Sequence, residues 1–203
     1  RKQGLAKADK KADRVAAEGR VIIAQASDGK QAVLLEINCE TDFVAGGDDF
    51  RHSCDQVTQA ALGSQAADLE GLMAVRLPSG ESIEEAQKAL IAKIGEKIAV
   101  RRYQRVQRQG DRFGSYLHGA RIGVLVDVRG GDDALAKDLA MHIAASRPLC
   151  VAPTDVPAEV IAKEREIFTA QASESGKPAD IVAKMVEGRV RKYLNEVALV
   201  GQP

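Results

Sequence analysis

Twenty residues from Gly19 to Asn38 align without a gap on Gly110 to Arg129, at a constant offset of 91. Glycine heads both copies, Ser27-Asp28-Gly29-Lys30 falls on His118-Gly119-Ala120-Arg121, and VLLEIN falls on VLVDVR. In the first copy Asp28-Gly29 separates two apolar runs, Val21 to Ala26 and Gln31 to Ile37, which signals a β-hairpin. Each copy then meets a Gly-Gly-Asp-Asp turn and a stripe of helical period. The stripe is Phe50, Cys54, Val57 and Ala61 after the first turn, and Leu135, Leu139, His142 and Ile143 after the second. A hairpin has one face to bury, and the helix that follows supplies the cover. The repeat therefore predicts an α+β fold with two related lobes, each built of antiparallel strands and packed helices.

The Gly-Gly-Asp-Asp turns, at Gly46–Asp49 and Gly130–Asp133, stand 84 apart, so the first copy holds 91 − 84 = 7 extra residues. They are CETDFVA, Cys39 to Ala45. The second copy runs straight from strand to turn, so topology alone does not require the insertion, and extra residues on a rigid scaffold are a usual seat of function. Phe43 admits two readings. It precedes Phe50 by seven residues and so continues a core stripe, yet Gly46-Gly47 interrupts any helix that would join them and leaves an exposed anchor equally open. Thr41 and Asp42 are good N-terminal caps for a short turn.

Elsewhere, Leu5 to Glu18 is rich in Ala, Lys and Asp and reads as a short connecting helix closed by Gly19. Ser82 with Glu85 fits a capping box that opens a helix bearing Ile83, Ala86, Leu90 and Ile94, which Gly95 closes. Lys97 to Gln107, with Arg101, Arg102 and Arg105, predicts a strand with one wet face. RPLCVAPTDVP holds three of the six prolines and marks a linker. Helical spacing returns from Ala158 to Thr169 and from Ala179 to Asn195, the latter with Val182, Met185, Val186 and Val190 on one side. The expected division is a connecting helix at 1–18, a first lobe at 19–108, a second at 109–177 and a helical-hairpin arm at 178–203.

Charge and cysteine usage narrow the function. The 29 basic and 29 acidic side chains cancel, which argues against a partner chosen for its phosphates, whether nucleic acid or anionic membrane. Three cysteines without CxxC spacing argue against a disulfide framework or a zinc site and for a reducing, cytoplasmic setting. There is no GxxxxGK[ST] loop, so no nucleotide or other cofactor is expected on this chain. Asp42, Asp48 and Asp49 match no calcium loop, and no metal site is expected. A cysteine-dependent enzyme using Cys39 with His118 is one alternative, although a small cysteine at a strand end reads first as packing. An oligomerisation module built on the C-terminal helices is another. Of the three histidines, His118 in its hairpin turn is the one presented outward; His142 lies on an apolar face and His52 on an exposed helix face.

EINCETDFVA closely resembles the signature of the elongation factor Ts family, the bacterial guanine-nucleotide exchange factors of elongation factor Tu. GSYLHGARIGVLV and SGKPADIVAKMVEGRVRKY resemble its other familiar stretches, so the likeness covers nearly the whole chain. It implies a two-lobed α+β core, joined by an N-terminal helical domain and interrupted in the second lobe by a helical hairpin. Only the tail of that domain, around RKQG, is expected here, and the chain is expected to stop inside the hairpin. The resemblance also implies that Asp42 and Phe43, flanked by Thr41 and Val44, insert between helices of the partner's nucleotide domain beside its magnesium and phosphate site. His118 and the Ile94-Gly95 pair are implied to contact the same partner, in its GDP-bound and nucleotide-free forms, without covalent catalysis. Family members usually carry a basic residue after the alanine, where this chain has Gly46-Gly47.

Overall fold

The computed structural model describes residues 13–203, and the chain divides into two compact units between Ala144 and Ala145. Most of the connecting helix expected over 5–18 lies outside the described residues. Its described end, 13–17, is turn, bend and irregular chain, and Glu18 already opens the first strand.

Strands β1 (Glu18–Gln25), β2 (Gln31–Cys39) and β3 (Ala99–Gln107) form an antiparallel sheet in the order β1-β2-β3. As the central strand, β2 buries Val33, Leu35, Ile37 and Cys39, each below 4% exposed. Between β2 and β3 run α1 (Asp42–Gly46), α2 (Asp48–Gly63), α3 (Leu69–Met73) and α4 (Ile83–Ile94). The predicted stripe is the covered face of α2: Phe50, Cys54, Val57 and Ala61 all lie in the core with Leu72, Ile83 and Ile91. The capping box forms as expected, with Glu85 N donating to Ser82 Oγ and Ser82 N to Glu85 Oε2.

The second copy consists of β4 (Arg112–His118), β5 (Ile122–Val128) and α5 (Asp133–Ser146). The duplication extends to backbone packing. A Cβ on Gly19 would lie 2.1 Å from Ile37 O and one on Gly110 would lie 2.4 Å from Val128 O, and Ile37 and Val128 are themselves 91 residues apart. Gly19 is thus a strand glycine at a close approach, with φ +138°, and not a helix cap. The turns differ. Ala26 N donates to Gln31 O at 2.8 Å across Ser27–Lys30, whereas His118 pairs with Ile122 across only Gly119–Arg121. The slip is absorbed at the other end of the hairpin, where Asp111 N donates to Val128 O and Arg112 also pairs with Val128, a β-bulge. His118 therefore ends a strand and does not occupy the turn, though it stays exposed.

On α5 the expected face is rotated. Ala136, Ala140 and Ala144 are buried, while Leu135 is 47% exposed. The cause is Gly114 on β4, where a Cβ would lie 2.1 Å from Ala136 O, so only small side chains fit where helix and strand nearly touch. Gly114→Ala forces backbone apart from backbone and is expected to cost about 1–3 kcal/mol, read as a lower urea midpoint for the whole chain.

In the second unit, α6 (Ala158–Ser173) and α7 (Ala179–Val197) pack on one another through Ala172, Val186 and Val190, with Ile161, Phe168, Val182 and Leu194 around them. Phe168 meets Tyr193 edge-on with ring centroids 6.4 Å apart, and Arg165 pairs with Glu187. The boundary expected at 177/178 falls in the bend between these two helices, where Gly176 has φ +67° ahead of Pro178.

Candidate functional site

The seven extra residues build a separate helix. Thr41, with extended backbone, caps α1 by accepting from Val44 N at 3.3 Å, and Asp42 stands in the first turn where its charge suits the helix N-terminus. Thr41 makes the capping bond, so Asp42 is left exposed. Gly47 ends α1 and simultaneously opens α2, so the chain changes direction between Phe43 and Phe50. The consequence separates two side chains that share a sequence stripe: Phe50 is 1% exposed and Phe43 is 87% exposed. Val44 and Ala45 pack against the core and anchor the short helix from below.

A second segment holds this helix in place. Gly95, with φ +89°, closes α4 by donating its N–H to Ile91 O, and Ile94 packs against the core. The turn it creates aims Glu96 at the insertion. Glu96 Oε2 accepts from Glu40 N and from Thr41 N, both at 3.1 Å, and Thr41 Oγ1 donates to Glu96 Oε1 at 2.7 Å. In return, Lys97 N donates to Glu40 Oε1 at 2.6 Å. The Ile94-Gly95 pair is thereby brought to the base of α1. Sequence reasoning missed Glu96 and Glu40, since a glutamate after a helix-ending glycine carries no signal of contacts 55–57 residues away. Asp49, weighed as a metal ligand, instead pairs with Lys93 at 2.7 Å.

His118 belongs to a different element. Its Nδ1 lies 3.0 Å from Tyr116 Oη, and the hairpin that carries it is docked on β1: Val21 N donates to Ala120 O at 2.8 Å, and Arg121 pairs with Glu18 at 3.0 Å. Helix α1 also packs on β1. One strand thus supports both the insertion and the hairpin of His118.

Cys39 is a poor nucleophile in this setting. The thiol is fully buried and donates to Thr41 O at 3.2 Å, and burial, helped by Glu96, pushes its pKa from 9.0 to about 11. Burial likewise pushes Cys54 to about 12. Both thiols stay protonated where the unfolded chain would ionise, so their contribution to stability is whole below about pH 9 and is lost as pH rises from there toward about 11 for Cys39 and about 12 for Cys54. Iodoacetamide at pH 8 is expected to label the half-buried Cys150 first, leaving Cys39 and Cys54 for the denatured chain. Rapid labelling of native Cys39 in a mass-spectrometric time course would contradict this.

Among the described residues no helix is long and apolar enough to cross a membrane. The site and fold define an α+β scaffold that holds one aromatic clear of its own core on a capped, clasped helix. The sequence profile of the family Elongation factor TS matches residues 40–203. Elongation factor Ts of Methylococcus capsulatus (strain Bath) is 59% identical over 203 residues, which is all of this chain and 69% of that protein. The elongation factors Ts of Halorhodospira halophila and Thioalkalivibrio sulfidiphilus are 56% and 55% identical, each over 204 residues, again all of this chain and 69% of theirs. The chain belongs to the elongation factor Ts family, and its role lies in the elongation phase of translation.

Proposed function

We propose that this chain is a guanine-nucleotide exchange factor that releases GDP from elongation factor Tu, with Asp42 and Phe43 as its wedge. The observation that carries the reading is Phe43, a large aromatic 87% exposed on a helix whose own base is packed and capped. Exposing such a ring has a cost in water that a partner pocket would repay, and buried aromatics are the usual anchors of interfaces. Asp42 beside it places a carboxylate where a partner's magnesium and phosphate site would feel it. Thr41 and Val44 hold the wedge, Ile94 and Gly95 shape its support, and His118 makes a further contact from the neighbouring hairpin.

The mechanism is linkage. A factor that lowers the partner's affinity for GDP is itself bound less tightly, by the same ratio, when GDP is present. It holds the nucleotide-free partner firmly and leaves when GTP enters, with no bond made or broken. The reading places the protein in the cytoplasm, acting on a protein partner without touching nucleic acid or membrane. In the same reading the lobes at 19–108 and 109–177 and the arm at 178–203 are the working parts. The alternative of catalysis by Cys39 with His118 is disfavoured by the buried, protonated thiol. Release of fluorescent GDP from elongation factor Tu tests the proposal. Stimulation by this chain, weakened by Asp42→Ala, is expected; a release rate indifferent to the chain at micromolar excess overturns it.

A further inference from the structure

We infer that Glu96 is a positioning residue for the wedge: its carboxylate fixes the entry to α1 and so the direction in which Asp42 and Phe43 are presented. The inference rests on the exchange reading for its functional consequence. Its structural part stands on contacts within the chain. One oxygen of Glu96 gathers two successive backbone N–H groups, of Glu40 and Thr41, just where β2 ends and the insertion begins. Its other oxygen accepts a hydrogen bond from the Thr41 hydroxyl, which leaves an oxygen lone pair of Thr41 aimed at Val44 N. One side chain thus satisfies the strand exit and orients the helix cap together. Hydrogen bonds to an ionised acceptor are the stronger kind, and here three converge on one group. Gly95 matters through Glu96, because the left-handed backbone at Gly95 is what turns the chain toward the insertion.

A five-residue helix cannot hold itself in water, since nucleation outweighs so few bonds. Without Glu96 the segment would populate other postures, and only the competent fraction would bind. Apparent affinity falls in proportion to that fraction, whereas the rate of release from the saturated complex is retained. This separates a positioning residue from the wedge, whose loss lowers the saturated rate.

The test uses the full chain with Glu96→Ala, Glu96→Gln and, as a reference, Phe43→Ala. Amide hydrogen exchange without partner is expected to quicken about tenfold or more at Glu40, Thr41 and Val44 in Glu96→Ala, with Leu35 and Ile37 unchanged. In titrations of GDP release from elongation factor Tu, the half-maximal concentration rises about tenfold while the plateau stays within about twofold. Glu96→Gln keeps an acceptor for the two amides and a donor for the threonine oxygen, and stays within about threefold of the parent in both assays. Should Glu96→Ala fail to fold, Thr41→Val removes the shared hydroxyl alone and is expected to quicken exchange at Val44 and shift the titration the same way. Unchanged amide exchange in Glu96→Ala, or Glu96→Gln as defective as Glu96→Ala, overturns the positioning role. A normal titration for Glu96→Ala beside a defective Phe43→Ala overturns it too, with the exchange reading intact. If Phe43→Ala titrates normally, Phe43 is not the wedge, the exchange reading stands without it, and amide exchange alone decides the role of Glu96.

Discussion

Phe43→Ala is expected to leave the thermal midpoint within about 2 °C of the parent while slowing stimulated GDP release by about 30-fold or more. The two halves of this result have separate causes. A ring 87% exposed contributes little to its own fold, so truncation removes almost no buried surface. An interface anchor of this size is typically worth about 2 kcal/mol or more, and that energy would appear here as lost stabilisation of the nucleotide-free complex. Equilibrium unfolding and release of fluorescent GDP, measured on one preparation, check both halves. An unchanged release rate with an intact fold would remove Phe43 from the mechanism.

Phe50→Ala, seven residues along, is expected to do the reverse. Its ring is 1% exposed, among the largest fully buried side chains of the first unit, and touches a core built from β2, α2 and α4. Truncating a buried phenylalanine costs about 3–5 kcal/mol, through lost transfer energy and the cavity left behind. That is a large fraction of the roughly 5–15 kcal/mol by which domains of this kind are stable. Urea unfolding followed by circular dichroism reads it directly, and a loss below about 1 kcal/mol would show that the core closes over the gap. Any fall in exchange activity should then track the unfolded share and recover at lower temperature or with a stabilising osmolyte.

The contrast between these phenylalanines marks the boundary of what periodicity can say. Both sit on one helical stripe when the sequence is read as continuous, and Gly46-Gly47 is a local sign that it is not. The core stripe of α2, the capping box of α4, the wet face of β3 and the duplicated hairpins were all legible, because each depends on neighbours within a turn or on a period of two or 3.6 residues. The α5 face departs from its apolar stripe because size, not hydrophobicity, governs a helix that meets Gly114, and nothing local to residues 133–146 reveals that glycine. A register shared by the two copies puts His118 in the turn. A bulge at Asp111 and Arg112 shifts the second hairpin by one residue.

By itself, then, the sequence determined the α+β class, the repeat, and the fact that one copy carries seven residues the other lacks, CETDFVA. Tertiary structure alone decided what those residues do with their side chains. Glu96, 55 residues beyond Thr41, holds the entry to α1, Val44 and Ala45 tether it from beneath, and Gly47 turns it away from α2. The physical reason is that the posture of so short a helix is set by contacts distant along the chain and close in space, which no local period encodes.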